Sequence, residues 1–376
     1  MAGIYLHIPF CRQKCHYCNF FSLATTRHKD AFTDALLSEA LLRSDYLEGE
    51  KVETIYFGGG TPSLLSADKI SHIITRLSAI FNVDPDAEIT LEANPDDLSE
   101  AYLEALAATR VNRLSIGVQS FRDEDLKYLN RVHSSAEALN ALHLASKLGF
   151  GNLTIDLIYG IPTLDADHWR RNLDIFFSLG IKHLSAYALT VEPRTALDHL
   201  INVRKLTPVD ELETARQFEI LIELMEEAGF IHYEISNFAL PDHYSRHNSL
   251  YWLGGHYLGL GPSAHSFNGR SRQWNVSRLD QYMKGSATEN IVLEKEVLTW
   301  VQRYNEYVMT SLRTSWGTDL DHITAVFGKH MAEYCLLAAT KFIDEGKIRQ
   351  SGRRLFLTMK GKLFADGVAA SLFADE

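Results

Sequence analysis

Three of the four cysteines fall within eight residues, as Cys11, Cys15 and Cys18 in the stretch CRQKCHYC. Thiolates are soft ligands suited to zinc and to iron–sulfur chemistry. An odd group of three does not make a disulfide framework. Zinc sites close with four ligands, often as two spaced pairs. No second pair follows here, although His16 is a conceivable fourth zinc ligand. A cubane iron–sulfur cluster wants one outside ligand for each iron. Three thiolates cap three irons and leave the fourth open to a small molecule. The spacing favours this open cluster, with a structural zinc site as the alternative. Cys335 lies far off in an apolar helical pattern and reads as a buried thiol.

Such a loop needs a scaffold, and the chain supplies a strand-then-helix rhythm. Short β-branched or apolar runs at 4–8, 54–57, 89–92, 113–118, 153–158 and 183–189 predict six strands. Ile70, Ile73, Ile74, Leu77 and Phe81 repeat at helical spacing behind Ser66 as N-cap. Tyr102, Leu103, Leu106 and Ala107 follow Ser99 in the same way, and Phe218, Leu221, Ile222 and Met225 form a later face stopped by Gly229. Strands alternating with helices imply parallel pairing and right-handed crossovers. The expected core is therefore α/β, a partial parallel (β/α)6 barrel. Each strand runs into a distinctive loop: the cysteine loop, GGGTP, EANP, GVQSF, DLIYGIP and LTVEP in turn. In such barrels the C-terminal strand ends share one face, where ligands bind. Any one loop has a plain reading as a turn or a surface polar residue. Six in register with six strand ends do not.

The chain is 376 residues long, which suggests two or three domains. Hydrophobic residues make up 46% and charged residues 23%, so wholesale disorder is excluded. A net charge of -11 argues against general nucleic-acid binding. The sequence shows neither a membrane span nor a signal peptide, which predicts a cytoplasmic protein. Beyond the polar stretch 268–289, helical patterns resume at 297–312, and runs at 347–350 and 355–358 flank a hairpin turn. The expectation is a smaller α-rich, winged-helix-like module. From residue 290 onward it holds 11 basic and 11 acidic residues, so no basic excess drives phosphate binding. The expected division is 1–200 for the barrel core, 201–285 for its extension and 286–376 for the C-terminal domain.

CxxxCxxC after a first strand, followed by GGGTP, resembles the radical S-adenosylmethionine (SAM) superfamily. The stretches YLHIPFCRQKCHYC, YFGGGTPS, LEANPDD, RLSIGVQSF, IDLIYGIP, YEISNFA and HNSLYW are similar to one group within it. That group holds oxygen-independent coproporphyrinogen III oxidase and the heme chaperone HemW family. The resemblance implies a [4Fe–4S] cluster on Cys11, Cys15 and Cys18, whose open iron is chelated by SAM. It also implies that Tyr5, Gly59, Gly60, Thr61, Glu92, Gln119, Arg131 and Asp156 contact SAM. Read without it, Arg131 is a partner for an acidic neighbour, and Asp156 a group satisfying backbone at the barrel rim.

Two departures separate this chain from the oxidase pattern. The oxidase has a further cysteine two positions after the third, where Phe20 stands here. It also carries an extension ahead of its cysteine motif, whereas Cys11 comes almost at once. Both features resemble the heme chaperones. His247 opens the stretch HNSLYW, which is similar to a motif linked with heme binding in that family, and imidazole is a common axial ligand of heme iron. His256 and His265 are alternatives. The resemblance therefore implies three cofactors (cluster, SAM and heme), apo-hemoprotein acceptors such as membrane respiratory enzymes, and an electron donor. It leaves open a homodimer and whether SAM is cleaved. The competing expectation is a decarboxylase of porphyrinogen propionates.

Overall fold

Strand β1 (Ala2–Ile8) is buried at every position except half-buried Tyr5. Such a run, without polar alternation, belongs in a parallel sheet covered on both faces. The computed structural model describes residues 2–288, 290 and 293–375. β1 is followed by β2 (Val52–Gly59), β3 (Val83–Ala93), β4 (Arg113–Gln119), β5 (Leu153–Tyr159) and β6 (His183–Ala188), each paired in parallel with the strand before it. These are the six strands read from the sequence. β3 starts well before residue 89, because Val83 pairs with Val52 ahead of a register shift. Asp84-Pro85-Asp86, poor strand formers, hid that beginning.

Six further strands extend the sheet: β7 (Ile231–Glu234), β8 (Asn237–Ala239), β9 (His256–Leu260), β10 (His265–Phe267), β11 (Ser271–Asn275) and β12 (Leu293–Val297). The order is β12-β11-β10-β9-β1-β2-β3-β4-β5-β6-β8-β7. β9 joins β1 in parallel on the edge opposite β2, and the sheet stays open, a partial barrel. Helices cover its outer face and are capped as the sequence indicates. Ser66 Oγ accepts from Lys69 N at the start of Ala67–Ile80, and Ser99 Oγ from Tyr102 N at the start of Glu100–Ala107.

The polar stretch 268–289 is more ordered than its composition suggests. It contains β11 and the helix Leu279–Ala287, and Glu289 lies outside the described residues. Buried Glu39 explains the order: it accepts from Asn275 Nδ2 (2.7 Å), Tyr282 Oη (2.6 Å) and Gly261 N (2.9 Å), and pairs with Arg43 (3.1 Å). A buried carboxylate so fully satisfied ties these polar segments to the barrel.

A second core begins at Tyr304, Val308 and Leu312 on the helix Trp300–Leu312 and includes Cys335, fully buried as expected. Thr299 caps that helix in a capping box, so it starts after Val297, which ends β12 opposite Ser271. The expected hairpin forms between Ile348–Ser351 and Arg354–Leu357, and Thr318–Asp319 adds a third strand.

Candidate cluster and nucleotide site

The cysteine loop leaves the end of β1 and is closed at its base by a two-residue parallel bridge, Phe10↔Leu23 and Cys11↔Ala24. Its far side is pinned by His16, whose backbone N–H donates to Leu129 O (3.1 Å) and whose Nδ1 lies 3.0 Å from Tyr128 O. His16 thus anchors the far side of the loop to Tyr128 and Leu129. Among the described residues, no three His, Cys, Asp or Glu side chains converge on a single ion-sized point. A zinc ion would draw its sulfurs to about 2.3 Å from one centre, while a cubane carries each thiolate on a separate corner.

All three cysteines line one cavity of about 420 Å³. Cys11 is buried, and Thr61 Oγ1 donates to its sulfur at 3.5 Å. Arg131 Nη1 donates to Cys15 Sγ at 3.3 Å, and its Nη2 to Asn94 Oδ1 (2.7 Å) and Gly117 O (2.8 Å). Arg131 therefore meets a sulfur, an amide and a carbonyl rather than a carboxylate, and its buried Nε has no partner. Burial pushes the Cys18 thiol up from its ordinary value.

The GGGTP turn comes beside this loop because two of its residues lack a side chain. Gly59 has φ +106, and a Cβ there would sit 2.7 Å from the His7 ring. A Cβ on Gly60 would sit 2.7 Å from Phe10 O and 2.8 Å from Ile8 O. Gly60 N donates to Ile8 O (2.8 Å) and Thr61 N to Phe10 O (2.7 Å).

Glu92, from the end of β3, accepts from Tyr56 Oη (2.8 Å) and Gly59 N (3.1 Å). Burial pushes its carboxyl up to about 7, with neighbouring Asp156 adding to the rise. Asp156 on β5 accepts from Ser115 Oγ (3.1 Å), and burial raises it to about 6. Gln119 ends β4 at φ 68, unusual for a residue with a side chain, and is buried against the same cavity. Cys11, Cys15, Cys18, Gly59, Gly60, Thr61, Glu92, Gln119, Arg131 and Asp156 thus share one space.

Tyr5 and His247 do not. They line a smaller chamber of about 240 Å³ deeper in the barrel, which shares Gly59, Glu92 and Asp156 with the first. Tyr5 stacks on Tyr56 with centroids 6.0 Å apart. His247 is 1% exposed, and both ring nitrogens are engaged: Nδ1 with Thr54 Oγ1 (2.8 Å), Nε2 with Tyr251 Oη (2.9 Å). In this conformation the ring is not open to a macrocycle's iron. Asn94, Ser115, Tyr56 and Phe20 also line these spaces and were not singled out from the sequence as contacts. Asn94 sits inside EANP, a legible signal, whereas Ser115 and Tyr56 emerge only from strand register.

A model of the radical SAM superfamily matches residues 5–176, and one of the HemN C-terminal domain matches residues 298–364. The heme chaperone HemW of Lactococcus lactis is 32% identical over 373 residues, covering 99% of this chain and 97% of that one. The chain belongs to the HemW family of radical SAM proteins. HemW of Bacillus subtilis is 31% identical with 100% of both chains covered, and HemW of Mycobacterium tuberculosis is 35% identical over 98% of this chain and 94% of its own. Among solved structures, Escherichia coli coproporphyrinogen III oxidase (HemN), described as a radical SAM enzyme, superposes with a TM-score of 0.85 at 25% identity, covering 99% of this chain and 90% of that one.

The residues of this HemW-family chain suit a cluster and nucleotide. Three soft donors face one cavity, glycines at 59 and 60 bring its turn against the cysteine loop, and a buried guanidinium nitrogen there is unpartnered. No helix among the described residues is long and apolar enough to cross a membrane.

Proposed function

We propose that this chain is a heme chaperone that holds a [4Fe–4S] cluster on Cys11, Cys15 and Cys18, binds SAM beside it, and passes heme to apo-hemoproteins. The observation that carries the proposal is the three-thiolate cavity, in a chain matching proteins named heme chaperone HemW over 99% of its length. When bound, a reduced cluster supplies one electron at the sulfonium of SAM.

The chain's own residues prepare that site. Arg131 sets a positive charge against Cys15 and holds Asn94 and the β4 end in place. Gly59 and Gly60, where a side chain would meet His7, Ile8 or Phe10, let this turn pack against the base of the cysteine loop and line the nucleotide's cavity. Glu92, held by Tyr56 and Gly59, ionises near neutrality and then presents a carboxylate to a cationic ligand. Gln119 and Asp156 complete the wall. The acceptors in this reading include membrane respiratory enzymes, the electron donor is a separate reductant, the location is cytoplasmic, a homodimer is compatible, and nucleic acid is not a partner.

A second reading, oxidative decarboxylation of porphyrinogen propionates, is favoured by the 0.85 TM-score to the oxidase. One experiment separates them. Reconstituted protein loaded with heme is expected to transfer it to an apo-hemoprotein, and to leave coproporphyrinogen unchanged in the presence of SAM and reductant. Formation of protoporphyrinogen would overturn the chaperone reading.

A further inference from the structure

The turn that follows β3, Asn94-Pro95-Asp96-Asp97, holds the cysteine loop from outside. Buried Asp97 accepts from Arg12 Nε (2.8 Å) and from Ser63 Oγ (2.7 Å), and so fixes the residue next to Cys11. Ser63 Oγ in turn accepts from Asn94 N at 3.3 Å, and Asp97 N donates to Asn94 O at 3.1 Å. The backbone of Asn94 is thereby set, and its amide is presented to the loop.

That amide completes a continuous path of hydrogen bonds between two sulfurs. Arg131 donates through Nη1 to Cys15 Sγ (3.3 Å) and through Nη2 to Asn94 Oδ1 (2.7 Å). Asn94 Nδ2 donates to Thr61 Oγ1 (3.3 Å), and Thr61 Oγ1 donates to Cys11 Sγ (3.5 Å).

The direction of these bonds follows from the groups themselves. A guanidinium can only donate, so the amide turns its oxygen to Arg131 and its N–H to Thr61. The Thr61 hydroxyl has one proton. Receiving a bond from Asn94, it is left to point that proton at Cys11. One amide therefore aims both donors at sulfur. A carboxylate of the same shape would accept from both sides and draw the Thr61 proton away from Cys11. An apolar side chain would orient neither donor.

Hydrogen bonds to sulfur are among the influences that set the reduction potential of an iron–sulfur cluster. Reduction adds negative charge, and donors at the thiolates stabilise it. Outer partners act through the groups they orient. We infer that Asn94 is a positioning residue for the cluster: it aligns Arg131 on Cys15 and Thr61 on Cys11, and so raises the potential of a cluster held there. The inference rests on the cluster reading of the three cysteines and adds to it the residue that tunes their charge.

The test is a redox titration followed by paramagnetic resonance on the anaerobically reconstituted full chain without SAM, with iron and sulfide content measured on each sample. The variants are Asn94→Leu, Asn94→Asp, Thr61→Val and Thr61→Ser. Asn94→Leu is expected to shift the midpoint to more negative potential, and Asn94→Asp further, since it adds a charge as well as turning the Thr61 hydroxyl. Thr61→Val is expected to shift it the same way by less, and Thr61→Ser to keep the wild-type value. Combining Asn94→Leu with Thr61→Val is expected to give less than the sum of the single shifts, because the two share one path. A merely structural Asn94 would lower iron and sulfide recovery and leave the potential of the remaining cluster unchanged, which would overturn the inference while the cluster reading stands. If the Asn94 variants load no cluster, Thr61→Val decides: a negative shift restored in Thr61→Ser supports the path, and an unchanged potential overturns it. If the wild type assembles no cluster, the cluster reading falls and this inference with it.

Discussion

His247 Nε2 and Tyr251 Oη lie 2.9 Å apart, and this hydrogen bond spans the wall between two spaces. His247 faces the inner barrel chamber, which shares Glu92 and Asp156 with the cysteine cavity, while Tyr251 lines both that chamber and a cleft between the two cores. Burial pushes the imidazole down to about 3, so it is neutral at physiological pH. One of its nitrogens then accepts and the other donates.

That neutrality gives a pH prediction. The folded state binds the proton at His247 less well than the unfolded chain, so this residue's contribution to stability is intact above about pH 6.5 and is lost as pH falls toward about 3. Denaturant unfolding of wild type and His247→Gln at pH 7.5 and 5 is expected to show a smaller acid loss in the variant. Equal losses would mean the ring is protonated in place.

Glu92 has the opposite sign. Its carboxyl, raised to about 7, is protonated more readily folded than unfolded, so its burial costs stability increasingly as pH rises from about 4.5 through 7. A cationic ligand prefers the ionised form. SAM affinity, read by equilibrium dialysis, is expected to rise through neutrality in the wild type and to be weaker and flatter in Glu92→Gln. The same variant is expected to unfold at higher temperature than wild type at pH 8 without ligand.

The cysteines and Arg131 differ in kind. Cys15→Ala removes a proposed cluster ligand and is expected to abolish stable cluster assembly. Arg131→Gln removes a contact at 3.3 Å from Cys15 Sγ and is expected to lower iron and sulfide recovery without abolishing it. Metal and sulfide assays on both variants check the order.

Gly60→Ala would set a Cβ against two backbone carbonyls, which cannot swing aside as a side chain can. A destabilisation of at least about 1 kcal/mol is expected, together with loss of cluster loading, because this turn packs on the cysteine loop. Thermal unfolding and iron content measure the two effects.

The six parallel strands and the loops at their ends were legible because apolar runs and motif residues share one period. The start of β3 was hidden by Asp84-Pro85-Asp86, and the order within 268–289 depends on Glu39, more than 200 residues away in sequence. Pairing of that range has no local signature. The cavity was readable because the cysteine loop, the GGGTP turn, Glu92 and Gln119 all lie at or just beyond strand ends, whereas Asp156 and Ser115 lie within strands. His247 was readable as a residue but not as a location, since its motif lies on a short helix, Arg246–Trp252, whose inward face only the packing fixes.

The most direct test is anaerobic reconstitution of the full chain, followed by iron, sulfide and zinc assays and paramagnetic resonance of the reduced sample with and without SAM. About four irons and four sulfides per chain are expected for a cubane, with a signal that changes when SAM is added. Zinc held in the loop with no sulfide, or a cluster signal indifferent to SAM, would contradict a cubane left open at one corner.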